Sequence, residues 1–252
     1  NSGSGGSGSG GTSDPVGTVI SNIQTPSGNW RSWGQGAPTF VDCNPSPCHG
    51  YEWSHKFNVT NPSLSNNATA FSLGGPNGTT PYGDVLFSAG LIGQNSSQLQ
   101  DRSHTLLPTL KNFIYDTDFY VTNASITQSL EFDITLNAGG VGITWGTQCN
   151  YLGDKNWDTW DNATQHWVST GFPCKFVNGW NHVTIRLQRK TDNTVVYQSI
   201  ELNGTTYALN RTSAPTTVPG NWWGLDANYQ MDGNYKETPN TTYLDNMSVT
   251  YW

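Results

Sequence analysis

The stretch Ser129-Leu-Glu-Phe-Asp-Ile-Thr-Leu136 alternates apolar and polar side chains without a break. Successive side chains of an extended chain project to opposite faces. Leu130, Phe132, Ile134 and Leu136 therefore share one face, and Glu131, Asp133 and Thr135 share the other. Such a segment reads as a strand with one buried side. Working outward, the same period recurs over 112–122, 141–149 and 180–189, where Val183, Ile185 and Leu187 point inward and His182 outward. Segments 195–202 and 205–210 flank Asn203-Gly204, a dipeptide suited to the type I′ turn of a hairpin. Towards the ends, 18–24, 56–61 and 243–252 alternate as well. Strict alternation in the last puts Leu244, Asn246, Ser248 and Thr250 on one face and Met247, Val249 and Tyr251 on the other. Only 97–107 carries a weak helical pattern. Strands punctuated by Gly and Asn turns predict an all-β fold, an antiparallel two-sheet β-sandwich or jelly roll, with its first and last strands paired. Residues 16–252 are expected to form a single domain. Residues 1–15, rich in Gly and Ser, read as an extended N-terminal linker or assembly segment.

Three blocks also carry a family likeness: 129–136, Trp180-Asn-His-Val-Thr-Ile-Arg-Leu187 and Ile200-Glu-Leu-Asn-Gly-Thr-Thr-Tyr207. Together they resemble concanavalin A-like and laminin-G-like jelly rolls, in which a Trp-x-His-Val-x-Ile strand precedes a hairpin of the Leu-Asn-Gly type. Over 16–252 the chain also resembles an uncharacterised family of secreted bacterial β-sandwich proteins. The resemblance implies fold and an exterior location; it does not imply a reaction.

Composition narrows the function classes. Charged residues make up 12% of the 252, aromatic residues another 12%, and 11 are Trp. Enough apolar surface exists to build a core, unlike in disordered chains. The net charge of -7 argues against nucleic acid, which is gripped by clustered Lys and Arg. No apolar run is long enough to span a membrane as a helix, and the absence of a visible signal peptide suggests an already processed chain. Four cysteines favour local disulfides, Cys43–Cys48 and Cys149–Cys174, over zinc, because the CxxC spacing is missing. Disulfides place the chain in an oxidising compartment. Ten Asn-x-Ser/Thr sequons lie at Asn58, Asn67, Asn77, Asn95, Asn123, Asn162, Asn203, Asn210, Asn240 and Asn246. With 26 Asn and 54 Ser plus Thr, chance alone supplies about six. Their placement at turns and on outward faces is the stronger hint of glycosylation.

The chemistry-bearing candidates are few. Glu131 and Asp133 share a strand face, as two carboxylates of a jelly-roll glucanase do in a Glu-x-Asp-x-x-Glu strand. Here Leu136 stands at the third position, so an acid/base partner is missing. The segment 154–167, expected as a disulfide-closed loop, sets Trp157, Trp160 and Trp167 among carboxylates. Indole faces stack on the C–H faces of sugars while carboxylates and amides hold hydroxyls, so it is a candidate glycan platform. Core cover is the plainer reading. Trp222, Trp223 and Tyr235 mark a second candidate. Asp154, Asn156 and Asp158 imitate the start of a calcium loop, but Thr159 and Gln165 occupy the positions of its Gly and Glu. A looser calcium site is the one alternative to having no cofactor and no metal. No catalytic triad or phosphate loop is present, so no catalytic residue is assigned. The expectation is a secreted, non-catalytic glycoprotein with a structural or adhesive role, whose partners are copies of itself or surface glycans. A lectin-like domain and a jelly-roll glycoside hydrolase are the alternatives.

Overall fold

A computed structural model describes residues 16–35, 40–42, 51–74, 83–93, 96, 98–233 and 238–252. Cys43, Cys48, Asn77, Asn95, Tyr235 and the segment 1–15 lie outside the described residues. In chain order the strands are β1 (Thr18–Ser21), β2 (Arg31–Gln35), β3 (Phe40–Asp42), β4 (Tyr51–Val59), β5 (Ala68–Leu73), β6 (Asp84–Gly93) and β7 (Leu99–Gln100). They continue with β8 (Asn112–Val121), β9 (Ser129–Ala138), β10 (Val141–Trp145), β11 (Thr147–Cys149), β12 (Asn156–Asp161) and β13 (His166–Pro173). The last six are β14 (Gly179–Arg189), β15 (Val195–Leu202), β16 (Thr205–Ser213), β17 (Thr216–Thr217), β18 (Gly224–Asp232) and β19 (Asn240–Tyr251).

These strands form two sheets. The first runs β16-β15-β14-β8-β19-β5-β4-β3, with β1 also on β19; the second runs β13-β12-β11-β9-β18-β6-β2, with β10 beside β9, β17 beside β10 and β7 beside β6. Pairing is antiparallel except for β3–β4 and β6–β7. The protein is thus an all-β, jelly-roll-type sandwich. The first and last strands pair as expected, Thr18 opposite Tyr251 and Ser21 opposite Ser248. Between the sheets, Phe113, Tyr115, Phe119, Val183 and Ile185 of the first meet Leu130, Phe132, Ile134 and Tyr229 of the second, all buried. Phe119 and Phe132 bridge the layers with ring centroids 5.1 Å apart. This is the inner face read from 129–136.

Several expectations need correction. Leu244 is buried beside Met247 and Val249 rather than outward with Asn246. The register jumps from Asp245 opposite Asp118 to Ser248 opposite Asp116, so β19 holds one extra residue there. This β-bulge resets the alternation. Asn246 takes a left-handed φ of 50° to make it. The amide of Met247 is satisfied off the ladder, by buried Gln24 Oε1 at 3.0 Å. The expected strand 141–149 is two strands, interrupted at Gly146. A Cβ there would lie 2.8 Å from the Cβ of Trp160. The segment 154–167 is no loop: it folds into the β12–β13 hairpin. The weak helical pattern is not realised among residues 98–107, which form β7 and turns before a 3-10 turn at Leu107–Thr109.

Candidate functional site

The outer face of the second sheet gathers the polar alternates of its inner strands. Glu131 and Asp133 extend from β9, and Asn228, Gln230 and Asp232 from β18. In register, Gln230 stands opposite Glu131 and Asn228 opposite Asp133. They floor a groove of about 590 Å³ whose wall is Trp160 of β12 and Trp167 of β13. The two indoles pair directly across the hairpin and meet edge to face, centroids 5.2 Å apart at 69°. Gly146 gives them room to pack down on the floor.

The floor is tightly wired. Gln230 Nε2 donates to Glu131 Oε1 at 2.8 Å and to Asp232 Oδ1 at 3.0 Å. Ser129 Oγ donates to Asp232. Asp133 Oδ1 accepts the Thr147 amide at 2.9 Å. Asn228 Nδ2 donates to Thr135 Oγ1 at 3.0 Å, while its buried Oδ1 has no partner. Burial, then repulsion from Asp232 and Asp133, drives the Glu131 carboxyl well above the usual carboxylate range. Burial pushes Asp133 up to about 8, against the lowering effect of the Thr147 amide and with help from the Asp232 charge. Asp232 rises to about 6, again mainly through burial. No Lys, Arg or His is among the described residues lining this part of the groove. Desolvated carboxylates without a facing cation are held largely protonated at mildly acidic pH, when they donate as well as accept hydrogen bonds.

The candidate residues fall into different places. Trp160 and Trp167 reach the groove; Trp157, at the alternate position of the same strand, is fully buried in the core. Its indole is unavailable to a sugar. Trp222 is exposed, whereas Trp223 is half-buried, stacked on His104 at 4.1 Å and donating from Nε1 to Asp101 Oδ2 at 2.9 Å. Both line a second pocket, of about 350 Å³, over strands of the same sheet. Cys149 and Cys174 are bonded, with Cα atoms 5.6 Å apart. Asp154 is turned back into the hairpin, accepting from the Asn156 amide at 3.0 Å and Ser169 Oγ at 2.8 Å. Among the described residues no group of three His, Cys, Asp or Glu is arranged to hold a metal ion.

The sequon asparagines divide by geometry. Asn58, Asn203, Asn210 and Asn246 are exposed and all have φ between 49° and 57°. Asn67 and Asn123 are half-buried, and Asn123 caps a 3-10 turn by accepting the Ser125 amide. Asn162 and Asn240 are buried, which departs from the expected placement of the sequons at turns and on outward faces. Asn162 Oδ1 accepts the Thr144 amide and its Nδ2 donates to the Thr144 carbonyl, both at 2.8 Å. Asn240 Nδ2 donates to Thr127 Oγ1 at 3.0 Å.

Asn228, Gln230 and Asp232 lie inside the aromatic–polar stretch 222–235 that Trp222, Trp223 and Tyr235 mark as a candidate, whereas Arg31 and Trp33, at the second pocket, lie outside every candidate. A signal existed for the first three: Asp226, Asn228, Gln230 and Asp232 alternate with Ala227, Tyr229 and Met231. That period marks a strand whose polar face must sit next to another polar face. Nothing local marks Trp33, which becomes significant only when β2 is placed against β6.

A sandwich carrying an indole-walled groove of amides and carboxylates on one sheet is the class that fold and site define. No protein-family model matches the chain, and no curated protein is similar to it in sequence. Solved structures similar to it include a cellulose induced protein, at 13% identity and TM-score 0.45, over 81% of this chain and 88% of that one. Others are a carbohydrate-binding module of the β-sandwich superfamily and the lectin-like defence protein arcelin-5 from Phaseolus vulgaris. The module aligns over 96% of this chain and 64% of its own, at 10% identity and TM-score 0.43. Arcelin-5 aligns over 88% and 98%, at 12% identity and TM-score 0.41.

Proposed function

We propose that this protein is a carbohydrate-binding sandwich acting outside the cell, with its binding site in the groove of the second sheet. The observation that carries the reading is the Trp160–Trp167 pair standing over the Glu131, Asp133, Gln230 and Asp232 floor. Binding sites of this kind combine aromatic walls with a few fixed polar groups. Indole faces cover the apolar side of a pyranose; floor carboxyls and amides exchange hydrogen bonds with its hydroxyls. Gln230 and Thr147 hold the carboxyls in place before a ligand arrives, which lowers the ordering cost of binding. The Cys149–Cys174 bond and the outward Asn58, Asn203, Asn210 and Asn246 support a secreted glycoprotein. Those four lie on strands or turns of the first sheet, so sugars attached there leave the groove bare.

The test is a glycan array followed by titration of the hits. Trp160→Ala and Trp167→Ala should each weaken binding by about tenfold or more, the size expected for an aromatic anchor. Wild-type binding that survives both substitutions would overturn the proposal.

A second reading, hydrolysis, has its own observation. One Gln230 amide bonds both Glu131 and Asp232, so those carboxyls stand no farther apart than the two bonds laid end to end. Retaining glycosidases hold theirs about 5–5.5 Å apart. Asp232 thus supplies, from a neighbouring strand, the partner missing after Asp133. Glu131→Gln should abolish any polysaccharide hydrolysis, and an inert wild type removes this reading. The structural or adhesive role through self-assembly rests on residues 1–15; deleting them should abolish filaments or oligomers, and unchanged assembly would sink it.

A further inference from the structure

The groove does not stop at the carboxylates. Along β9 the outward positions run from Glu131 through Thr135 to Asn137, and along β18 from Asp232 through Asn228 to Asp226. Thr135 and Asn228 line the first end, Asn137 and Asp226 the second. Outward neighbours on one strand are about 7 Å apart, so the two ends adjoin. From β12 to β2 the sheet crosses β11, β9, β18 and β6, a width of about 24 Å at the usual strand spacing. At the far end Trp33 is 44% exposed and Trp222 54% exposed, the only exposed tryptophans among the described residues. Both line the groove there. Exposed indoles gathered at one place mark a contact surface rather than chance. Between the ends lies Asn228, 5% exposed, whose Oδ1 has no protein partner.

We infer that Trp33 and Trp222 form a second sugar-stacking subsite, so that the ligand is a glycan chain reaching both ends, neutral or amine-bearing rather than acidic. This rests on the reading of the groove as a glycan site. Chain length follows from the separation of the two indole pairs, which no single sugar ring spans. Charge follows from the lining: Asp84, Glu131, Asp133, Asp232 and Asp226 face it, against the single cation Arg31. Asp226 and Asp232, raised only to about 6, are ionised at neutral pH and repel a uronate or sulfate, which is a penalty on binding, while the protonated Glu131 and Asp133 offer such a group no positive partner.

Titration calorimetry with cello- and manno-oligosaccharide ladders, from disaccharide to hexasaccharide, tests the inference. Affinity should rise by about tenfold or more along a ladder, and Trp33→Ala with Trp222→Ala should erase that rise. Both residues are exposed, so the variants keep their fold, and their disaccharide affinity should equal that of wild type. Chitosan oligomers should bind at least as well as neutral ones, and oligogalacturonates of equal length about tenfold more weakly. Length-independent affinity, or an equal loss for short and long chains in the double variant, overturns the second subsite while leaving the first intact. Tight oligogalacturonate binding overturns the charge rule. A wild type that binds no member of any ladder overturns both this inference and the glycan reading beneath it.

Discussion

Asparagine does two jobs in this chain, and its backbone conformation separates them. Among the described residues eight asparagines adopt left-handed φ values, including Asn58, Asn210 and Asn246. Each of these three is the extra residue of a strand irregularity, where β4, β16 and β19 lose register with their partners. Asparagine tolerates this region better than other residues with a Cβ. The sequons at these positions therefore coincide with asparagines the fold needs for its own bulges. Glycan mapping by mass spectrometry of the native protein should find sugar at exposed Asn58 and Asn210. It should find none at Asn162 or Asn240, whose Nδ2 groups are buried and bonded; sugar at either would contradict the structure. Asp245 shows how a bulge is secured. It accepts bonds from Ser63 Oγ, the amides of Leu64, Ser65 and Asn246, and Ser65 Oγ at 2.5–3.0 Å. Asp245→Ala strands these donors, and chemical denaturation should record a loss of about 3 kcal/mol, the upper range for such groups. A loss under about 1 kcal/mol would show the loop to be independently stable.

The β12–β13 hairpin turns a composition into a surface. Its one-residue alternation sends Trp157 into the core and Trp160 to the groove, and antiparallel pairing brings Trp167 beside Trp160. The Cys149–Cys174 bond ties the strand before the hairpin to the segment after it, with a sequence separation of 25. Replacing both cysteines with serine should cost about 3 kcal/mol, from the freed loop of the unfolded chain. Gly146→Ala acts on the same element without touching the bond. The new methyl would press on Trp160 and Trp167, so glycan affinity should fall more than stability. Unchanged affinity in that variant would mean that the indole pair is not held by Gly146. The hairpin was legible as something unusual, but not as strands: its six residues from Asn156 to Asp161 are too polar for one buried face to stand out.

Across the molecule, charge sets the response to pH. Asp133 titrates at about 8 and Asp232 at about 6 when folded, against 3.8 for an ordinary aspartate. A raised carboxyl favours the folded state while protonated in it, so that contribution is complete at low pH and is lost as pH climbs to 8. His182, lifted to about 10 by bonds to Asp116 and Asp118, adds a term with the same sign. It is present below the ordinary histidine value and vanishes as pH rises through 10, though half-exposure keeps it small. Asp101 and Asp245, held low by backbone and hydroxyl donors, work the other way and lose their contribution on acidification. The melting temperature should therefore peak on the acid side and decline between pH 5 and 8. Asp133→Asn should flatten that decline, and a profile rising to pH 8 would refute the charge arrangement.

The pairing of first and last strands followed from the sandwich class as a whole; alternation over 129–136, 112–122 and 180–189 determined that class and the inward faces. These depend only on local period and on burying one side of each strand. The Cys149–Cys174 pairing was legible for the same local reason. Register breaks were not, because a bulge moves a face by one residue while leaving the composition unchanged. Leu244 was misplaced for that reason. The groove belonged wholly to the tertiary level. Glu131 and Asp232 are about a hundred residues apart in sequence, and Trp33 is farther still from Trp222. Only the strand order β12-β11-β9-β18-β6-β2 sets them on one face. Strand order is chosen by which inner faces pack together, a global balance that no single segment encodes.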